Sequence, residues 1–387
     1  MNDFTKKEVV NLNIPPSNYT IETFLEYIQS NIDEVFGTGN QRKWLKAYLI
    51  YARSDWKEMF HDHIIDEYGD ITHIVFSNDR SQSEDGIDFY AYEWVPGLIT
   101  MFTSSPQDDY ERTLKNFIRN NRGTTESWIK PSIFDEMKNY LVTKHEAIIY
   151  RFIGRRKRYW DLPAQIRPDY DRRHSYSGED AGETLKEIQS LYGIIPTSID
   201  MRVYESKIQI NRNGLFVIRH VNRKTIGVLQ EVVNEIAVKQ ARIKETTDKF
   251  QVGTKTIKVG EGEIKVPRIV AGKINLPHTK LTEKMMLQMF GQFNEFELGK
   301  SDSEENEIEH DFSFVDTYVS AEPFVFSASV IDEEKGTIFG ISGSEGKISL
   351  IPKHKTTFES FITFYNLVAE NFDQTAELTT FSEQIPA

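Results

Sequence analysis

The chain of 387 residues contains no cysteine. This absence excludes disulfide scaffolds, cysteine-ligated zinc, iron–sulfur clusters and thiol nucleophiles. Long apolar runs are also missing, because no stretch approaches the ~20 apolar residues of a membrane-spanning helix. The N-terminal segment lacks the basic start and apolar run of a secretory signal. Together these absences predict a cytoplasmic protein with no membrane partner.

Familiar nucleotide-binding motifs are absent as well. The sequence has neither a GxxxxGK[ST] phosphate loop nor a GxGxxG dinucleotide fingerprint. No set of metal ligands is convincing, so we expect neither a metal nor another cofactor. The one exception is Mg²⁺, which the nuclease alternative described below would need.

The patterns that are present favour an α+β fold. Apolar residues recur with helical spacing in some segments and alternate with polar residues in others. We therefore expect two or three domains with antiparallel sheets, built from hairpins and packed with helices. Asn213-Gly214 lies between two alternating runs and predicts a tight hairpin turn. Helices are predicted at 20–36, 41–52, 54–68, 225–247 and 357–372.

Proline and glycine in the polar segment 161–182 suggest a linker. This segment predicts an N-terminal α+β domain over residues 1–178, ending in an arginine-rich and aromatic-rich stretch. A C-terminal α+β domain would cover 179–387, with a further boundary near the acidic segment 299–311.

Charge is unevenly distributed along the chain, whose net charge is −13. Residues 294–387 hold 5 basic and 19 acidic residues, a balance of −14, so the other 293 residues are near neutral at +1. In contrast, the window 151–174 holds eight basic and three acidic residues. This contrast is the most informative feature of the composition.

The basic window combines cations with aromatic rings, as single-stranded nucleic-acid sites do. Arginine also matches phosphate oxygens two at a time. The candidate nucleic-acid contacts are Arg151, Arg155, Arg156, Lys157, Arg158, Tyr159, Trp160, Arg167, Arg172 and Arg173. Two alternatives remain open: the arginines could pair with acidic residues of this chain or a protein partner, or they could form a solvated face.

A second hypothesis is a metal-dependent nuclease with an E-x-K motif, in which carboxylates hold Mg²⁺ and the lysine orients water. One set is Asp200 with Glu205 and Lys207, which requires a bend near Tyr204 because Asp200 has the opposite strand parity. The other set is Asp248, Glu263 and Lys265. E-x-K is a very common tripeptide, and a charged strand face is the simpler explanation of both sets.

The leading prediction is therefore a non-catalytic subunit that binds nucleic acid or another polyanion, together with protein partners. A prokaryotic defence or nucleic-acid-processing assembly is one setting that would fit. The alternatives are the E-x-K nuclease and a scaffold protein with no nucleic-acid role.

Overall fold

The computed structural model describes residues 11–37, 43–77, 86–156, 164–167, 170–259, 262–292, 312–353 and 355–382. The helices in this part are α1 (Ile21–Ser30), α2 (Ile32–Val35), α3 (Trp56–Met59), α4 (Gln107–Tyr110), α5 (Asn116–Asn120), α6 (Pro131–Lys144), α7 (Ala181–Tyr192), α8 (Arg223–Thr247), α9 (Glu283–Gln292) and α10 (Phe358–Asn371). A π-helical turn, Glu111–Lys115, joins α4 to α5.

The first eleven strands are β1 (Trp44–Ala52), β2 (Ile64–Tyr68), β3 (Ile71–Phe76), β4 (Ile87–Val95), β5 (Leu98–Thr103), β6 (Thr124–Glu126), β7 (Ile148–Arg156), β8 (Arg172–Ser177), β9 (Ile195–Val203), β10 (Ser206–Asn211) and β11 (Leu215–Arg219). The remaining strands are β12 (Gln251–Val259), β13 (Gly262–Asn275), β14 (Phe312–Ala321), β15 (Phe324–Asp332), β16 (Thr337–Ser344), β17 (Lys347–Pro352) and β18 (Glu377–Ser382).

Capping residues begin two of the predicted helices. Thr20 starts α1 and Asn222 starts α8, and in each case the cap side chain accepts a hydrogen bond from the third residue of the helix. Helix α8 has 25 residues and is the long helix expected over 225–247. The final helix, predicted over 357–372, is α10.

Strands β1 to β11 form one sheet and β12 to β18 form a second. The first has the order β2-β3-β4-β5-β1-β11-β10-β9-β7-β8, with β6 also paired to β1. The second has the order β12-β13-β17-β16-β15-β14, with β18 also paired to β13. Every ladder between these strands is antiparallel. The protein therefore has an α+β fold with antiparallel sheets, as predicted.

The predicted Asn213-Gly214 turn connects β10 to β11. Gly214 has a φ of +79°, and a Cβ there would lie 2.6 Å from the carbonyl oxygen of Ser127. Only glycine fits both conditions without strain. This turn fixes the register of the strands that carry the candidate site.

One hydrophobic cluster contains buried residues from both sheets. It includes Leu45 and Phe216 of the first sheet, Phe339 of the second, and residues of α1, α6, α8 and α10. A second cluster lies on the opposite face of the first sheet, where Trp56 and Phe60 pack near Tyr110 and Leu114. Of the strands β7, β9, β10 and β11, only β11 contributes described residues to this second cluster.

The predicted helix over 41–52 is wrong, because residues 44–52 form the central strand β1. Eight of its nine residues are buried, since the strand has apolar residues on both faces and neighbours on both edges. Such a continuous apolar run fits a helical spacing by coincidence. The predicted helix over 54–68 is also wrong, because it divides into the short helix α3 and the strand β2.

The domain boundary predicted at 178/179 falls inside the first sheet. Strand β9 follows this boundary and pairs with β7, which precedes it. The proline- and glycine-containing segment that suggested a linker includes β8 of the same sheet and the first two residues of α7. Strands of the first sheet therefore extend to Arg219. The other proposed boundary, near 299–311, lies outside the described residues.

Among the described residues, no helix is long and apolar enough to span a membrane.

Candidate functional site

Alternation along β9 and β10 gives the first sheet one apolar face and one polar face. Ile199, Met201 and Ile208 enter the large hydrophobic cluster. Asp200 and Lys207 lie on the other face, because successive strand residues point to opposite sides. We call this other side the polar face and define it by Trp44, Tyr150, Arg151, Asp200, Arg202, Lys207, Gln209 and Arg219.

Three cations of the polar face lie side by side on adjacent strands. Lys207 of β10 is directly opposite Arg202 of β9 and directly opposite Arg219 of β11. Neighbouring strands are about 4.8 Å apart, so residues at opposed positions are close neighbours. We call these three residues the cation row. The row continues to Trp44 of β1, which is opposite Arg219.

Aromatic rings lie beside two members of the cation row. The Lys207 ammonium lies 5.1 Å from the ring centroid of Tyr150, and the Arg219 guanidinium lies 5.1 Å from that of Trp44. Arg219 also donates a hydrogen bond of 2.7 Å to Oε1 of Gln209. Its Nε is buried and makes no hydrogen bond within the described part of the chain.

Two members of the row are exposed and form no ion pair in the described part of the chain. Arg202 and Lys207 are both exposed. In the part of the chain that the structure describes, neither forms an ion pair. Both side chains are open to solvent, and Asp200 attracts Lys207 without forming an ion pair with it.

Asp200 is the carboxylate at the centre of the polar face, and it is almost completely buried. Nη1 of Arg151 lies 3.8 Å from its Oδ2, and the Tyr150 hydroxyl donates to the same oxygen at 3.5 Å. Burial raises the pKa of Asp200, while Arg219 and Arg151 oppose this rise. The carboxylate is thus a negative charge beside the cation row, paired with Arg151.

Arg155 and Arg156, two of the candidate nucleic-acid contacts, are both buried. Nη2 of Arg155 donates to Glu370 of α10 at 3.0 Å. Arg212 donates to both oxygens of the same carboxylate, and its guanidinium also lies over the ring of Trp128. For Arg155 the internal pairing left open by the sequence is what the structure shows.

Burial alone would raise the pKa of Glu370, but the charges and hydrogen bonds of Arg212 and Arg155 outweigh it and lower the pKa to about 2. The carboxylate is therefore ionised and binds two guanidinium groups. We call Arg155, Arg212 and Glu370 the buried triad. It connects the first sheet to the helix α10, which packs in the core shared with the second sheet.

The other residues of the predicted basic segment are dispersed. Arg151 is 42% exposed and belongs to the polar face. Arg167 and Arg173 are exposed, whereas the half-buried Arg172 lies 4.7 Å over the ring of Tyr192. Lys157, Arg158, Tyr159 and Trp160 lie outside the described residues.

The first E-x-K set is only partly brought together. A turn at Tyr204, with φ of +53°, supplies the predicted bend, so Asp200 and Lys207 share a face. Glu205 lies in this turn, and Asp200 is three residues from the end of β9, about 10 Å along the strand. The two carboxylates are therefore not neighbours.

The second E-x-K set is separated along a hairpin. Asp248 directly follows α8 and pairs with Lys244 at 2.6 Å, close in sequence to Gln251, which pairs with Val270. Glu263 is seven residues from Val270 along β13, about 23 Å. Within the described ranges, no group of three or more histidine or acidic residues could hold a metal ion. The geometry does not assemble the predicted magnesium site from either set.

Sequence reasoning missed Trp44, Tyr150, Arg202, Gln209 and Arg219. The available signal was the alternation of polar residues on both sides of two turns. When the chain is folded into hairpins at Tyr204 and at Gly214, Lys207 lies opposite both Arg202 and Arg219. The concentration of basic residues along the sequence indicated the basic window 151–174 instead.

Comparison with known proteins adds two findings. A family model described as a family middle domain, AF_0896_M, matches residues 133–211. A protein of Archaeoglobus fulgidus, described as an uncharacterized protein, is 23% identical over 397 residues, which cover 94% of this chain and 98% of the relative. The matched range runs from within α6 to the end of β10, so it includes Arg151, Asp200, Arg202 and Lys207 of the polar face.

Proposed function

We propose that this protein is a non-catalytic binding protein whose polar face holds a polyanion, with single-stranded nucleic acid as the preferred ligand. The observation that carries the proposal is the cation row. Arg202, Lys207 and Arg219 are opposed on three adjacent strands, and Arg202 and Lys207 have no ion-pair partner in the described structure.

Like charges at opposed strand positions destabilise a sheet. An anionic ligand removes this repulsion, because each phosphate gives the cations an opposite charge. The arginines of the row can donate two hydrogen bonds to one phosphate group, whereas Lys207 contributes a point charge.

The rings of Tyr150 and Trp44 favour nucleic acid over a simple polyphosphate. Sites for single strands combine cations that follow the backbone with aromatic rings that stack on bases. Open sheet faces with aromatic residues are one such platform for RNA. The polar face has both elements within one set of adjacent strands.

The test is fluorescence anisotropy with labelled single-stranded RNA and DNA at low salt. The variant Arg202→Glu/Lys207→Glu should weaken binding at least tenfold, because two attractive charges become repulsive. Lys284→Glu/Lys347→Glu is the matched control, since both lysines are exposed and lie away from the polar face. For the wild type, log affinity should fall with log salt at about −0.7 per phosphate contacted.

Equal affinities of the two double variants would contradict the proposal, as would a wild type that retains no oligonucleotide. Binding of inorganic polyphosphate with equal strength and the same dependence on Arg202 and Lys207 would assign the face to polyphosphates in general.

A cytoplasmic location and membership of a larger assembly complete the proposal. The absence of cysteine is compatible with a reducing compartment. The acidic region 294–387 offers a surface for protein partners, and a defence or nucleic-acid-processing complex is the setting we favour. Purification of the tagged protein with its partners, with and without nuclease treatment, tests this part.

A further inference from the structure

The hairpin of β12 and β13 extends beyond the second sheet. Strand β13 pairs with β17 only over Gly272–Asn275 and with β18 only over Val270–Asn275. Before Val270 it pairs with β12 alone within the described structure. We call the free part, Gln251–Val259 with Gly262–Ile269, the arm. Nine residues of strand make it about 30 Å long.

Described side chains of the arm are exposed on both of its faces. Val252 is 49% exposed and Ile264 is 50% exposed. A two-stranded ribbon without support on either face is at best marginally stable by itself. Open strand edges and apolar side chains at such a position indicate that another molecule covers the arm.

The net charge of the arm indicates which kind of molecule covers it. Residues 251–269 hold four basic and two acidic residues, a balance of +2 in a chain of −13. Lys258, Lys265 and Arg268 are all exposed. A second copy of the arm would bring the same positive charges together, whereas a polyanion complements them.

We infer that the arm is a second contact for the polyanion that the polar face binds. This inference rests on the proposed function, and it adds that the ligand must be long. Helix α8 begins four residues after Arg219 and ends four residues before Gln251. Its 25 residues separate these two points by about 37 Å. A single strand whose bases are stacked as in the duplex, with a rise of about 3.4 Å per nucleotide, needs roughly 11 nucleotides to cover that distance.

The experiment compares two lengths of labelled single-stranded oligonucleotide, about 6 nucleotides for one site and about 30 nucleotides for both. The arm variant is Lys258→Glu/Lys265→Glu/Arg268→Glu. The control variant, Lys186→Glu/Lys284→Glu/Lys347→Glu, makes the same change in net charge at exposed lysines outside the arm. Circular dichroism checks that each variant is folded.

We expect the arm variant to bind the long oligonucleotide at least tenfold more weakly than the control variant does, and the short one with the same affinity. Equal affinities of the two variants for the long oligonucleotide would overturn the inference. An equal loss for both lengths would overturn it too, because the arm would then not be a separate contact.

The variants also separate this inference from the proposed function. If the arm plays no part but the polar face binds, Arg202→Glu/Lys207→Glu weakens both lengths while the arm variant weakens neither. If only the arm binds, the arm variant loses affinity for the long oligonucleotide and Arg202→Glu/Lys207→Glu does not. Light scattering that shows a dimer in the wild type and a monomer in the arm variant would assign the arm to a second copy, and so would overturn the inference.

Discussion

The buried triad and the cation row use the same kind of side chain in opposite ways. In the triad, Arg155 and Arg212 share the carboxylate of Glu370, and all three groups are buried. In the row, Arg202 and Lys207 are exposed, oppose each other across two strands, and form no ion pair among the described residues.

The difference concerns where the compensating charge comes from. A buried arginine must have its counter-charge within the fold, because an isolated charge in the interior costs several kcal/mol. Exposed cations keep their hydration and need no partner in the chain, so their opposed arrangement is available to a ligand. Density of arginine in the sequence does not distinguish the two situations, whereas the presence of an internal carboxylate does.

Removal of the shared carboxylate should have the largest effect. Glu370→Ala leaves two buried guanidinium groups without their counter-charge and should lower the free energy of unfolding by about 3–5 kcal/mol. Urea denaturation measures this change. The control is Glu345→Ala, because Glu345 is exposed and lies 3.7 Å from Lys280, so its loss should cost less than about 1 kcal/mol. Equal losses for the two variants would show that the buried carboxylate contributes no more to stability than an exposed one.

Acid should remove the stabilisation that the buried triad gives to the fold. The pKa of Glu370 is lowered to about 2 from an ordinary 4.5, so its stabilisation is present above pH 4.5 and is lost as the pH falls toward 2. The difference in unfolding free energy between the wild type and Glu370→Gln should therefore shrink over this range. A difference that stays constant from neutral pH to pH 2 would show that the ionised carboxylate does not stabilise the fold.

Neutralising the carboxylate of the polar face should affect binding rather than folding. Asp200→Asn removes a negative charge beside the cation row, so nucleic-acid affinity should rise by about 1 kcal/mol, or fivefold. Anisotropy titration of wild type and variant at low salt measures the gain. Weaker binding by the variant would mean that the charge of Asp200 is needed to position Arg151 and Arg219.

The smallest effect should come from relieving the repulsion within the row. Lys207→Thr removes the central charge and introduces a residue that favours strands, so unfolding without ligand should require about 0.2–1 kcal/mol more. The same variant should bind oligonucleotides more weakly. Thermal denaturation measures the expected gain in stability, and anisotropy measures the expected loss of binding. A Lys207→Thr variant that is less stable than the wild type would show that repulsion within the row does not destabilise the fold.

Local patterns predicted the fold class because hairpins and capped helices are encoded by nearby residues. The Asn213-Gly214 turn and the helix α8 are examples. The strand β1 was misread because its environment is set by β11, which is distant in the sequence. The buried triad could not be predicted for the same reason. Arg155 and Glu370 are 215 residues apart, and no residue near Arg155 in the sequence indicates this partner. Part of the cation row could have been predicted from the sequence, because Lys207 and Arg202 lie on either side of a short turn.

The central position of β1 has a consequence for synthesis on the ribosome. Its partner β11 begins at Leu215, about 170 residues after β1 begins at Trp44. At roughly 5–20 residues per second, β1 emerges about 9–34 s before that neighbour exists. During this interval a strand with apolar side chains on both faces has an open edge toward β11. Nascent chains of this protein should therefore be targets for chaperones that bind extended apolar segments, and Leu45–Ala52 is the segment we expect them to protect.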